Sequence, residues 1–314
     1  MKRRLKIAGV SAAIIAVVAV VGLGVLKVNL DSQYFDGYSS ETPLDVRVTE
    51  ETKTSGYIRT HFYYKGWRGE EVPALLAMPL ERKSPVPCVV FLHGIGQKKE
   101  FLDDIAAPFV KAGFGFASFD QYTRGERRLK NAGALAEANA FRLRPAYTVN
   151  DARRMIDYLE TRPDIAANRI YLVGASYGAI TGATAAAFDD RFRAAVLIYG
   201  GGNISSLLDA REIEKEAGAW LPLAKLGGWY FLSVVDPVRY VGQISPRPVY
   251  LQNGRNDGLI STPAAKALQE AAGEPKKIQW YDGDHVGTDE EAVKHVLQDV
   301  LDYLLKVDKD VVTS

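Results

Sequence analysis

Ser176 stands in Gly174-Ala175-Ser176-Tyr177-Gly178, a G-x-S-x-G pattern. An apolar run rich in strand formers, residues 169–173, precedes it, and a run of small, helix-compatible residues, 178–187, follows. A serine at such a strand-to-helix turn is held in a strained backbone conformation with its hydroxyl pushed out of the sheet end. Glycines are needed on both sides because side chains there would strike the neighbouring strand and helix. The helix that starts at this point aims its N-terminus at the serine and favours negative charge beside it. The chemistry such a residue could do is nucleophilic attack, provided that a base takes its proton and a carboxylate orients the base.

Elimination narrows the base, because the chain has four histidines. His61 falls mid-strand in the amino-terminal part and reads as an edge residue. His93 follows the apolar run 86–92 and reads as shaping a turn. His295 lies off the apolar stripe of the last helix and reads as solvated. His285 sits in Asp282-Gly283-Asp284-His285, straight after the last strand, at the sheet end where the serine belongs. Asp257 is the matching acid, in the glycine-bearing loop that ends the preceding strand. Asp236, in Asp236-Pro237, is the rival, although an Asp-Pro pair is usually a turn start. Asp282 and Asp284 are too near His285 in sequence to reach its far nitrogen without an unusual turn.

A tetrahedral oxyanion needs backbone N–H donors. One is expected from Tyr177, the residue after the nucleophile. The other is expected from His93-Gly94-Ile95-Gly96, with Ile95 preferred and Gly96 the alternative.

The elements that position these residues follow a clear rhythm. Three strand-like stretches, 44–48, 57–64 and 72–79, form an antiparallel start to a sheet. From residue 86 onward, strands at 86–92, 115–119, 169–173, 192–199, 248–252 and 277–280 alternate with helices at 101–112, 147–160, 178–187, 262–272 and 290–305. This pattern predicts an α/β fold with a mostly parallel central sheet flanked by helices and ligands at the carboxyl ends of the strands. On the last helix Val293, Val296, Leu297, Val300, Leu301, Leu304 and Leu305 form the expected buried stripe. Residues 200–245 break the rhythm as a short helical cap insert. Its Trp220, Trp229, Tyr230 and Phe231 have three readings: lining an apolar acyl pocket, packing the insert onto the domain, or touching a nearby bilayer. A shallow pocket that prefers short acyl chains is expected.

The order Ser176, Asp257, His285, together with His93-Gly94, resembles the α/β-hydrolase superfamily over roughly residues 55–306. Asp120 followed by Arg124-Gly125-Glu126-Arg127, and Asp236-Pro237-Val238-Arg239-Tyr240 leading into Pro246-Arg247-Pro248, are similar to its esterase and dienelactone-hydrolase-like branch. Dienelactone hydrolases proper use a cysteine nucleophile, so Ser176 departs from them and points to ester hydrolysis through an acyl-enzyme. The HGGG-type loop of lipase-like relatives is interrupted by Ile95. The resemblance implies a serine hydrolase of carboxylic esters. Ser-Tyr-Gly at 176–178 is also similar to the prolyl-oligopeptidase group, but the chain ahead of the first strands is too short for that group's propeller. An acyltransferase and a non-catalytic binding protein on the same fold complete the alternatives.

Composition bounds the remainder. Lys+Arg 39 against Asp+Glu 38 gives a net charge of +1 and no electrostatic reason to expect nucleic acid. Cys88 is the only cysteine and sits in an apolar run, so it reads as a buried small hydrophobe, with no intrachain disulfide. No metal or cofactor is implied, since the histidines and carboxylates lack ligand spacing. Residues 7–26 carry no charge and follow Lys2, Arg3, Arg4 and Lys6. Twenty residues at roughly 1.5 Å each give about 30 Å, the thickness of a bilayer core. Residues 1–27 are therefore expected to be a transmembrane anchor, 28–43 a tether and 44–314 the catalytic domain. The charge bias puts that domain outside the cytoplasm. The alternative is a cleaved signal peptide and a secreted protein, but the small-x-small site Gly22-Leu23-Gly24 lies inside the apolar run.

Overall fold

The structure is a computed structural model that describes residues 2–81, 85–287 and 290–313, with side chains from residue 17 onward. The chain divides into two compact units, Met1–Asp36 and Gly37–Ser314. The first is built on α1 (Lys2–Ser32). The expected anchor, residues 7–26, falls partly outside the described side chains. Among the described residues no helix is long and apolar enough to cross a membrane.

The second unit holds a nine-stranded sheet in the order β1-β2-β3-β5-β4-β6-β7-β8-β9. Its strands are β1 (Arg47–Lys53), β2 (Tyr57–Lys65), β3 (Glu71–Pro79), β4 (Val86–Leu92), β5 (Gly115–Phe119), β6 (Ile165–Ala175), β7 (Phe192–Ile198), β8 (Val249–Gly254) and β9 (Lys276–Tyr281). The first three are antiparallel to their neighbours, and β5, β4, β6, β7, β8 and β9 run parallel. β4 and β5 are buried at every residue, as befits strands covered on both faces. β1 lies three residues later than expected and is exposed throughout. Its charged sequence, Arg-Val-Thr-Glu-Glu-Thr-Lys, suits an unpaired sheet edge.

The helices of this unit are α2 (Leu102–Lys111), α3 (Ala134–Glu160), α4 (Tyr177–Phe188), α5 (Ile204–Leu208), α6 (Arg211–Ala217), α7 (Leu221–Leu232), α8 (Thr262–Ala271) and α9 (Glu290–Thr313). α2 and α9 cover one face, where Leu102, Ile105, Phe109, Val296, Val300 and Leu304 pack on Val89, Phe91, Tyr171, Val173 and Val196. α3 begins thirteen residues before its expected start at 147; its early residues are mostly exposed, so they give no apolar stripe to read. Leu305 is a correction to the last helix: it faces solvent, and Val307 takes the next buried place.

The stretch read as a free tether is pinned to the domain from Tyr38 onward. Arg154, buried in α3, donates to the carbonyls of Ser39, Thr42, Pro43 and Lys65 and pairs with Asp157 at 2.7 Å. The Tyr38 hydroxyl donates to Asp157 at 2.8 Å and accepts from Arg191 at 2.7 Å. Arg191 immediately precedes β7, so this clamp sits at the opposite end of the strand from Ile198.

Candidate active site

Ser176 is the hinge between β6 and α4, with φ 55° and ψ −117°. A positive φ costs a side-chain-bearing residue about 1–3 kcal/mol, so the surroundings must impose it. The Ser176 N–H donates to Ile198 O of β7 at 2.8 Å, which fixes the turn to the next strand. The flanking glycines are obligatory for packing. A Cβ on Gly174 would run into the carbonyl of Gly178, and one on Gly178 into the carbonyl of Leu92 at the end of β4.

Three side chains from separate loops meet at this turn. His285 Nε2 lies 2.9 Å from Ser176 Oγ, and His285 Nδ1 lies 2.8 Å from Asp257 Oδ2. The other Asp257 oxygen accepts the N–H groups of Leu259 and Ile260 at 2.8 and 2.9 Å, so the carboxylate is oriented by its own loop. Its side chain is 1% exposed. With Nδ1–H directed at Asp257, Nε2 is left to accept from the serine hydroxyl. Tyr199 sets its ring edge-to-face with His285, 5.8 Å between centroids, and burial raises its phenol to about 12, keeping it neutral.

The rival residues have other work. Asp236 accepts the N–H groups of Asn203, Ile204 and Val238, so it caps the insert and does not approach His285 through any of these bonds. Asp284 does not reach the far nitrogen of His285. Its Oδ1 instead accepts the backbone N–H of Gly258 and of His285, and these two bonds hold its carboxyl below the usual range. His93 is buried, with Nδ1 2.8 Å from Gly94 O, and burial lowers its pKa. His61 lies near Thr49 and Glu126 on the β1–β2 edge, and His295 is solvated beside Asp299.

The Tyr177 N–H belongs to the first turn of α4, where helix geometry offers no carbonyl partner. Ile95 lies in a turn at 94–97, after β4, and its side chain is exposed. Gly94 N–H is already taken by the Gln97 side chain at 2.9 Å, which leaves Ile95 and Gly96 as the turn's available donors.

Beside Ser176 is an apolar cavity of about 380 Å³, walled by Phe91, Phe101, Ile105, Val293, Val296 and Leu297. Of the three readings of the insert aromatics, lining this pocket is the one that its wall does not bear out. None of Trp220, Trp229, Tyr230 or Phe231 borders the cavity, and Trp220, Trp229 and Phe231 face outward. The insert follows β7 and folds against the loop of Asp257, where Glu212 N–H reaches Gly258 O. The first part of the α9 stripe, Val293, Val296 and Leu297, also supplies one wall, while Val300, Leu301 and Leu304 are buried core as expected. Gly96 and Gln97 also border a second, polar cavity of about 770 Å³, lined by Lys98, Lys99, Arg124, Arg128 and Lys130 together with Glu100 and Glu126. Among the described residues no group of three or more His, Cys, Asp or Glu could hold a metal ion.

A largely parallel sheet with a strained serine between β6 and α4, and a histidine and an aspartate from later strand ends beside it, defines the α/β-hydrolase class. Within that class the chain belongs to the dienelactone hydrolase family, whose profile matches residues 72–307, and it is a carboxylic ester hydrolase. Esterase YjfP of Escherichia coli is 26% identical over 211 residues, 65% of this chain and 82% of that protein. YtaP of Bacillus subtilis is 25% identical over 217 residues, 62% of this chain and 68% of that protein. Acetyl xylan esterase 1 from Thermoanaerobacterium is similar in fold, with a TM-score of 0.70 over 90% of this chain and 93% of its own, at 16% identity.

Proposed function

We propose that the protein is a serine esterase in which Ser176 attacks the acyl carbon, His285 takes the hydroxyl proton, and Asp257 orients and stabilises the imidazolium. The observation that carries this reading is the unbroken hydrogen-bonded line from Ser176 Oγ through His285 to Asp257. The carbonyl oxygen of the ester, which becomes negative in the tetrahedral intermediate, is received by the N–H groups of Tyr177 and Ile95. The alcohol leaves with the proton held by His285. Water then repeats the sequence on the acyl-enzyme, so no cofactor is consumed.

The apolar cavity receives the acyl group. At about 380 Å³ it suits short to medium chains, in keeping with esters of small acids. The polar cavity bordered by Gly96 and Gln97 is assigned to the alcohol part of the ester, since it adjoins the acyl cavity at those two residues. The charge-free stretch at 7–26, preceded by four basic residues, supports attachment to a bilayer with the catalytic domain outside the cytoplasm.

Turnover of p-nitrophenyl esters of increasing chain length, with fluorophosphonate labelling of the wild type and of Ser176→Ala, tests the reaction. An unlabelled wild type, or a folded Ser176→Ala variant that keeps its activity, sinks the reading. Membrane fractionation followed by protease treatment of intact spheroplasts tests the attachment. A full-length chain in the soluble fraction removes that part.

A further inference from the structure

The turn carrying Ile95 is suspended between two fixed points. On one side Gln121 Nε2 donates to His93 O at 2.8 Å. On the other, Lys99 N–H donates to the buried carboxylate of Asp120 at 3.0 Å. Between them, Gln97 closes the turn twice. Its backbone N–H donates to Gly94 O at 3.1 Å, and its side-chain Oε1 accepts Gly94 N–H at 2.9 Å. The first bond is an ordinary turn closure. The second is unusual, because it uses a long, flexible side chain to fix the His93–Gly94 peptide, one unit ahead of the peptide that carries Ile95 N–H.

That amide is also close to the chemistry. A Cβ placed on Gly94 would lie 3.3 Å from Gln97 Oε1 and 3.7 Å from Ser176 Cβ, so the amide and the nucleophile's side chain flank the same small space. Gln97 further borders both the acyl cavity and the polar cavity, at their junction. An oxyanion donor is effective only when it is held at hydrogen-bond distance from the position the oxygen will occupy, and a displacement of about 1 Å costs on the order of 100-fold in rate.

We propose that Gln97 is a positioning residue for the oxyanion hole. By accepting Gly94 N–H, it sets the turn at 94–97 so that Ile95 N–H meets the developing oxyanion. It acts through Ile95 and transfers no proton itself. This rests on the serine esterase reading, with Ser176 as nucleophile.

The test uses the full-length chain, with Gln97→Met, which keeps the length of the side chain but lacks the acceptor, and Gln97→Ala, which cannot crowd the turn. The measurements are kcat and KM for p-nitrophenyl butyrate, and inhibition by a trifluoromethyl ketone and by its unfluorinated parent. Ser176 Oγ adds to the fluorinated carbonyl, its proton passes to His285, and the carbonyl oxygen becomes an oxyanion; the parent ketone stays trigonal. Both variants are expected to lose about 10- to 100-fold in kcat with KM little changed. Affinity for the fluorinated ketone should fall in step, while affinity for the parent ketone holds.

Retention of kcat in both variants overturns the proposal. So does equal weakening of the two ketones, which marks a general disturbance of the pocket, or a rise in KM at constant kcat, which makes Gln97 a substrate-binding residue. A wild type that binds the fluorinated ketone no better than its parent removes the esterase reading itself, and this inference with it.

Discussion

Asp284 ties the acid's loop to the base's loop, accepting the Gly258 N–H at 2.8 Å through the same oxygen that takes the His285 N–H at 2.7 Å. Its second oxygen reaches Arg211 of the insert at 3.2 Å. The spacing between Asp257 and His285 therefore depends on a carboxylate that is neither of them. Asp284→Ala should lower kcat by about 10- to 100-fold with a smaller effect on KM, as the imidazole loses its registration. Asp284→Asn retains an acceptor for both N–H groups and should be milder. The sign with pH follows from the depressed carboxyl. The bonds stabilise the fold fully above the unfolded value, near 4, and that contribution disappears as pH falls through the lower folded value. The wild type should be more heat-stable than Asp284→Asn at neutral pH, and the difference should shrink below about pH 4. A difference that is constant from neutral to acid pH contradicts the assignment.

Asp257 and Asp236 can be separated directly. Asp257→Asn leaves the packing intact but disturbs the tautomer of His285, and should cost roughly 10⁴ in kcat. Asp236→Asn touches only the caps of the insert, at Asn203, Ile204 and Val238. The amide keeps one oxygen but turns an NH2 toward one of these N–H groups, so the substitution should lower stability by about 1 kcal/mol while kcat stays within a few-fold. Reversed effects would transfer the acid's role to Asp236.

The acyl cavity makes a prediction about chain length. Leu297 and Ile105 stand across it from the β-strand wall. Leu297→Ala should enlarge the cavity and move the preferred p-nitrophenyl ester to longer chains, each newly accommodated methylene adding at most about 0.8 kcal/mol. Trp229→Ala, on an outward-facing part of the insert, should leave the chain-length profile unchanged. A profile that responds to Trp229 and ignores Leu297 would return the pocket to the insert.

The candidate site was legible where local chemistry dictates structure. Gly174 and Gly178 can be nothing larger in a turn this tight, and histidine is scarce enough for position alone to single out His285. The parallel strands were legible because burial on both faces makes them continuously apolar. What could not be read depends on contacts between distant segments. Asp284 looks like any loop acid until Gly258 is brought against it. Val293 and Leu297 match the helical period of a core stripe, and the period does not say whether the neighbour is a side chain or a cavity. The insert aromatics misled because large rings normally signal burial, whereas α7 has no buried residue at all. Tyr38 and Ser39 read as tether because nothing in their own sequence announces Arg154 and Arg191.

The clamp on Tyr38 has a consequence for how the enzyme would meet its substrate. Tyr38 is held by Arg191 and Asp157 at the amino-terminal end of β7, whereas Ser176 bonds to Ile198 at the other end. The six residue steps from Phe192 to Ile198 span about 20 Å. Within this unit the point where the preceding chain enters and the nucleophile lie at opposite ends of β7, and attachment to a bilayer through that chain is predicted to leave Ser176 open to water. The substrate should then be a dissolved ester, and activity should not jump when long-chain esters form a lipid–water interface. Leu223, exposed on α7 of the insert, gives a direct reading. Because Cys88 is buried, Leu223→Cys supplies one accessible thiol for a polarity-sensitive dye. In vesicles carrying the full-length chain, that dye should keep the emission it shows in water. A shift to the emission of a lipid environment, or activation at the interface, would mean that the outward apolar arc of α7 lies on the bilayer and that the enzyme draws its substrate from lipid.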